Sequence, residues 1–490
     1  MKRSKLRGAV AALAVAGVLV CGGCASAQQG APESSASPLD PSDPVQVELW
    51  TYYNGTQQTA FEDLVKEFNA SRGKDLGVVV TSSSQGGVND LAQAVTDSAQ
   101  ELVGSAAMPD AFLSYSDTAS VIDSMGKVAD VSSYLTDDEK VQYVDSFLAE
   151  GDLSGDGGLK VFPVGKSTET LQINLTDWQK FADATGSQLE ELSTVEGITT
   201  VAQRYYEWTD AQTPDVANDG RPFFGRDAMA NYLICGSRQL GHDIFNIEGG
   251  ECTLDLDRAT IKKLWDNYYV PMVQGWFSAE GKFRSDAVKT GGLLCYVGSS
   301  SSVVYFPTTV TVDDETSYPI ELAALENPTF EGGTACAPQQ GAGFVVTKSD
   351  ERKETACVEF LKWFTDKEQN TAFSINAGYV PVKKDALTLE NLQAAAEAEG
   401  ASQNYLANLP ATLDTIEAGV YANQPFKGGV EARALLEKAL SNKAIADRAA
   451  VVAAIEAGTA PAEAIAPYLE ESVLDAWLAD VTEQLQAVVA

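Results

Sequence analysis

Tyrosine, serine, asparagine and aspartate residues recur in short gaps between apolar runs of this chain, at Tyr52, Tyr53 and Asn54, at Ser82–Gln85, and at Ser114, Tyr115, Ser116 and Asp117. Rings of this kind stack on a ligand, and the hydroxyls, amides and carboxylates beside them fix its orientation by hydrogen bonding, which is the usual make-up of a concave binding site. Three such clusters in adjacent loops would form a polar, aromatic wall. From this sub-set, Tyr52, Tyr53, Asn54, Ser84, Ser114, Tyr115 and Asp117 are the candidate ligand-binding residues. The segment Lys166-Ser167-Thr168, the serine run containing Ser299 and Ser300, Tyr379, and Trp276 near a helix end are further candidates.

Catalytic signatures are missing by comparison. There is no GxSxG, no GxGxxG and no P-loop, and the single His242 would have to act as sole general base. Asp and Glu occur throughout, so a carboxylate pair stays open. Asp152, Ser154, Asp156 and Gly157 imitate the start of a calcium loop, but the twelfth position is Pro163 where a bidentate glutamate is needed. Neither a metal nor a cofactor is expected, and binding without turnover is the reading.

The elements that would position these residues follow from periodicity. Val45, Val47 and Leu49 alternate with polar residues as in a strand, and Phe61, Leu64, Val65 and Phe68 recur at helical spacing. Asn54-Gly55 marks the turn between them. The pattern repeats with strand 78–80 and the helix around Leu91 and Val95, and again with strand 111–113 and its helix. Consecutive strand–loop–helix units predict an α/β fold with a parallel sheet, whose loops open together at the carboxyl ends of the strands. Segment 160–164 reads as a strand crossing toward a second domain. Strand 293–297 runs into "GSSSS", and the tail from Leu389 reads as Ala/Glu-rich packed helices.

Length and charge set the frame. The 490 residues suggest two domains, and a net charge of −35 disfavours nucleic acid and anionic lipid as partners. Lys2, Arg3, Lys5 and Arg7 precede a short apolar run and then "CGGCASAQQ", so residues 1–23 read as a signal peptide with lipidation at Cys24, plain secretion being the alternative. Residues 24–44 read as a disordered tether rich in Ser, Pro and Ala. The remaining cysteines, Cys235, Cys252, Cys295, Cys336 and Cys357, are odd in number and hold no CxxC; a Cys235–Cys252 disulfide and buried free thiols are both open.

Taken together, the lipobox, "VELWTYYNGTQQTAFEDLVKEFN", "MPDAFLSYSDTA", "KVFPVGKSTETLQIN", "LLCYVGSSSS" and the stretch from "QQGAGFVVTKSD" to "GYVPVKKDAL" resemble the family 1 extracellular solute-binding proteins of ABC importers, the maltose- and glycerol-3-phosphate-binding group. The resemblance covers about residues 45 to 385. It implies a two-lobed, type II periplasmic-binding-protein-like fold with a hinge and an interlobe cleft. One lobe is expected at 45–158 and 316–375, the other at 159–315 and 376–490. It also implies that Tyr52, Tyr53, Asn54, Ser114, Tyr115, Asp117, Lys166, Ser167, Ser299 and Ser300 border the cleft. The implied function is capture of a sugar or oligosaccharide by lobe closure and delivery to ABC permease subunits, by a monomer held at the outer face of the cell membrane through Cys24. Competing readings are an anionic solute such as a glycerol phosphate held by Lys166, Arg226 or Arg284, a lipid-anchored glycan hydrolase, and a surface adhesin.

Overall fold

The computed structural model describes residues 37–489 except 217 and 249; Cys24 and the proposed signal peptide lie outside the described residues. The chain opens with β1 (Val45–Thr51), whose alternate residues Val45, Val47 and Leu49 are buried, followed by α1 (Gly55–Ala70), which buries Phe61, Leu64, Val65 and Phe68. β2 (Val78–Ser84), α2 (Val88–Ala99), β3 (Ala111–Ser114) and α3 (Ser116–Ser124) repeat the unit. β1 pairs in parallel with both β2 and β3, so the three loops after these strands emerge at one sheet edge. The short β4 (Phe162–Pro163) closes the far side of this sheet.

The chain then enters a second sheet with β5 (Glu169–Asn174), β6 (Phe224–Arg226), helix α4 (Met229–Gln239), β7 (Cys295–Ser299) and β8 (Leu322–Leu325). Its order is β8-β5-β7-β6. β9 (Gly343–Val346) returns to the first sheet, antiparallel between β3 and β4, and α5 (Glu351–Phe364) and α6 (Lys367–Ala377) cover it. The tail supplies α7 (Gln403–Ala418), α8 (Gly429–Glu456) and α9 (Glu471–Val489). The first core joins Phe61 to Phe344, Phe360, Phe364 and Phe373, whereas α8 and α9 bury Leu436, Leu440, Trp477 and Leu485 in the core of the second sheet.

A return to the first lobe is expected near residue 316, yet β8 still pairs with β5 through Leu322–Asn174 to Leu325–Leu171. The return falls between β8 and β9 instead. The apolar run Leu322–Leu325 is what completes the edge of the second sheet, and the turn residues before it only close the hairpin of 309–311 with 317–319.

The passages between the sheets lie side by side. Lys166 N donates to Val380 O at 3.0 Å and Val380 N to Lys166 O at 2.8 Å, while Ser167 exchanges bonds of 3.0 and 2.8 Å with Gln340. Three connecting segments therefore form one small ladder at the hinge. Glycine is required there at Gly341, where φ is +92° and a Cβ would sit 2.4 Å from Gly165 O. At Gly378, with φ of +77°, a Cβ would meet Ser301 O at 2.5 Å, so the third crossing passes tightly against the serine loop after β7.

Candidate functional site

The rim of the first lobe is built from the carboxyl ends of β1, β2 and β3. Tyr53 faces inward: it is 2% exposed, with its ring 5.5 Å from Phe61, 5.4 Å from Phe373 and 6.4 Å from Tyr379. Tyr52 meets it edge-on at 5.3 Å and is also buried. Tyr52 and Tyr115 line one hollow, and Tyr379 is near enough to act electrostatically on both, so loops after β1 and β3 and the third hinge segment meet in a cluster of phenols. Burial pushes all three phenols above their ordinary pKa, which keeps them neutral hydroxyls able to donate. Tyr115 is half-buried. Asn54 is exposed at the start of α1 and makes no side-chain capping bond. Ser84 Oγ donates to Tyr53 O at 2.7 Å and Ser114 Oγ to Tyr115 O at 2.9 Å, so both serines fix the loops that carry the rings.

The hinge and second lobe contribute the remaining wall. Lys166 is 1% exposed; its ammonium lies 2.6 Å from Glu150 Oε2 and donates to Gly341 O at 2.7 Å. Ser167 Oγ is 3.4 Å from Ser299 Oγ, which is 3.0 Å from Ser301 Oγ. Ser300 is buried: its hydroxyl accepts from Thr168 N at 3.1 Å and its carbonyl from Asn408 Nδ2 at 3.1 Å. Ser299, Ser301 and Ser302 are the half-buried members of the run and Tyr305, a few residues on, is 57% exposed. Tyr305 adds a small electrostatic effect on the Tyr379 phenol, whose pKa is raised mainly by burial. Trp276 is separated from the others. Its carbonyl accepts from Phe223 N at the start of β6, and β6 runs parallel to β7, so Trp276 lies at the end of the second sheet opposite Ser299. The aromatic pattern there serves the core, which already holds Phe277 against Phe224 at 4.8 Å.

Two contacts join the rims directly. Asp117 receives two bonds from Arg433 of α8, at 2.7 and 3.2 Å, and Ser116 Oγ donates to Asn423 O at 2.9 Å. Arg433 also lies over the rings of Phe245 and Phe426, at 6.0 and 5.7 Å. Residue reading finds Asp117 but misses Arg433, Glu150 and Tyr305. Tyr305 carries a signal, an aromatic just past "GSSSS"; Arg433 carries none, because its partner is 316 residues away.

Cationic groups around the cleft are paired. Arg226 is 3.2 Å from the buried Glu169, which also accepts from Asn231 at 2.7 Å, and Arg284 sits 3.7 Å from Asp227. Burial raises the Glu169 carboxyl above its ordinary value of 4.5, against the pull of Arg226 and Asn231. Above 4.5 the unfolded chain releases a proton that the folded chain still holds. This group's contribution to stability is therefore full below that value and lost as pH rises through the folded value. Glu169→Gln is expected to remove that falling slope in urea unfolding measured across the acid range; an unchanged slope would place the titration elsewhere.

His242 stands apart from this arrangement, 3.0 Å from Asp255 on the exposed side of the hairpin 245–254. The cysteines in the described residues are free thiols, and Cys252 turns its sulfur to Thr253 O at 3.8 Å.

The model of the family described as bacterial extracellular solute-binding protein matches residues 63–400. Among solved structures, the chain is similar to the cyclic α-maltosyl-1,6-maltose binding protein of Arthrobacter globiformis, at 18% identity over 91% of this chain and 99% of that one, with a TM-score of 0.62. It is similar to a Mycobacterium tuberculosis protein solved with glycerophosphocholine, at 19% identity, 91% and 98% coverage and a TM-score of 0.63. It is also similar to an ABC substrate-binding protein of Listeria monocytogenes in complex with cycloalternan, at 16% identity, 91% and 100% coverage and a TM-score of 0.61. At these identities the likeness establishes the fold. No curated protein matches the chain.

Proposed function

The chain belongs to the bacterial extracellular solute-binding proteins, and from that premise we propose that it takes up a neutral oligosaccharide between its lobes and delivers it to the permease of an ABC importer. Solute capture is the family's activity; the sugar, the permease and the residues in contact are what is proposed. The observation that carries it is charge pairing. Lys166, Arg226 and Arg284, the candidates for holding an anion, face Glu150, Glu169 and Asp227. An anionic solute would have to compete with those carboxylates, whereas sugar hydroxyls find neutral phenols, serines and amides already oriented.

In this reading the first lobe comprises residues 45–163 and 343–377 and the second the rest of the described chain after Thr168. Tyr115, Asn54, Ser299, Ser301 and Tyr305 face the solute. Tyr52 and Tyr379 cluster with Tyr115, and Lys166, Tyr53 and Ser300 hold the wall from behind. Asp117 and Arg433 close the rim, and part of the closure energy comes from such contacts between lobes. The protein acts as a monomer without catalysis, tethered outside the membrane through lipidated Cys24. No helix among the described residues is long and apolar enough to cross a membrane.

Calorimetric titration tests the solute class. A linear or cyclic α-glucan oligosaccharide is expected to bind with a Kd of about 1–10 µM, or roughly 7–8 kcal/mol, a range that still allows release. That Kd should change less than about twofold between low and high salt, because no net charge is neutralised. Binding of a glycerol phosphodiester that weakens steeply with salt, with no response to oligosaccharides, would reverse the assignment.

A further inference from the structure

Two of the buried thiols face one another. Cys235 lies on α4 and Cys336 in the segment that leads from β8 back to the hinge, and the two thiols are near enough for each to shift the other's ionisation. The surrounding geometry fixes this approach. Gln239, one helical turn after Cys235 and on the same face of α4, donates to Cys336 O at 2.9 Å and to Pro328 O at 3.3 Å. The same side chain accepts from Phe330 N at 3.0 Å, and its backbone carbonyl from Thr334 N at 2.9 Å. Segment 328–336 is thus held by one glutamine against the helix end, one turn from Cys235. The other cysteines in the described residues each turn to a carbonyl instead: Cys295 to Phe223, Cys357 to Asp110 and Cys252 to Thr253.

We propose that Cys235 and Cys336 are a disulfide-forming pair, oxidised in the exported protein to a staple that ties the second hinge segment to the second lobe. The inference rests on the extracytoplasmic location of the family, where thiols meet oxidants, and not on the identity of the solute. Cys336 is the attacking member: the neighbouring Cys235 thiol holds its pKa below the ordinary thiol value, with Arg238 adding to the effect. Its thiolate displaces one sulfur of an external disulfide, either a small-molecule disulfide or that of a thiol oxidoreductase. The Cys235 thiolate then resolves the mixed disulfide. Two S–H bonds are lost and one S–S bond forms; the external disulfide is reduced to two thiols, which take up the two protons. The bridge closes a loop of roughly 100 residues, long enough for a sizeable loss of unfolded-chain entropy. Its position just before Ala337–Gln340 stiffens the second-lobe end of the hinge ladder while leaving the ladder's own bonds unchanged.

The test uses the purified full-length chain, incubated with oxidised glutathione until its free-thiol content stops falling, then denatured, alkylated and mapped by mass spectrometry without reduction. One cross-linked peptide pair containing Cys235 and Cys336 is expected, unchanged in Cys252→Ser and absent in Cys336→Ser. The oxidised wild type should melt about 5 °C above its reduced form, and Cys336→Ser should show no such difference. Full alkylation of both residues after oxidation, a bridge involving Cys252, or equal melting points would each overturn the proposal. None of these outcomes depends on whether the solute is a sugar.

Discussion

Lys166→Met is expected to lower folding stability by about 3–5 kcal/mol, the largest single effect the structure implies. The ammonium is enclosed by Glu150 and Gly341 O at the centre of the hinge ladder, and the side chains of Lys166 and Glu150 are 1% and 7% exposed. Without the lysine, Glu150 keeps only its bond from Gln339 and is left as a buried carboxylate with no counter-charge. The size of the loss reflects that stranded charge more than the strength of the pair itself, so Lys166→Met combined with Glu150→Gln should recover most of it. Urea unfolding of the three chains decides the matter. A single variant within about 1 kcal/mol of wild type would mean that water reaches Glu150 and that the hinge is not closed around it.

Tyr115→Ala is expected to weaken solute binding about 100-fold, or about 2.7 kcal/mol, while leaving the fold intact. The residue caps the start of α3 through its backbone, which alanine preserves, and it is the half-buried member of the phenol cluster, where Tyr52 and Tyr379 are buried. A sugar offers a face of C–H bonds to such a ring, and Tyr52 lines the same hollow beside it. Tyr115→Phe separates the two roles: stacking stays, the hydroxyl goes, and the loss should shrink to about tenfold. Calorimetry with the oligosaccharide that the wild type binds is the check. An unaltered Kd in Tyr115→Ala would remove the first-lobe rim from the binding site.

Much of the first lobe was legible because its strands are short, apolar and punctuated. Val45, Val47 and Leu49 alternate, Asn54-Gly55 breaks the run, and α1 follows with its stripe of Phe61, Leu64, Val65 and Phe68, all buried. The gathering of the three loops followed from parallel pairing, which needs no knowledge of side chains. What could not be read was the direction of individual residues at strand ends. Tyr52 and Tyr53 are the same type in adjacent positions, yet Tyr53 sits among Phe61 and Phe373 while Tyr52 lines a hollow with Tyr115. Ser299 and Ser300 likewise split, one half-buried and one buried beneath Thr168.

Long-range pairing was the other limit. Asp117 reads as a free polar group because Arg433 lies in an Ala/Glu-rich tail, with no local pattern linking the two. Trp276 reads as a possible platform because an aromatic after a helix end is common to cores and clefts alike; only the β6–β7 register shows which end of the sheet it occupies. The thiols show the same lesson. Spacing brings Cys235 and Cys252 to mind, whereas the fold brings Cys336 to Cys235 through the grip of Gln239.

Movement of the two lobes together on a neutral solute is best tested by small-angle X-ray scattering of the full chain with and without a saturating α-glucan oligosaccharide. Contraction is predicted, with a smaller radius of gyration and maximum dimension on addition of the sugar and no change on addition of a sugar that does not bind. Superimposable curves under conditions where calorimetry shows the site to be full would contradict it.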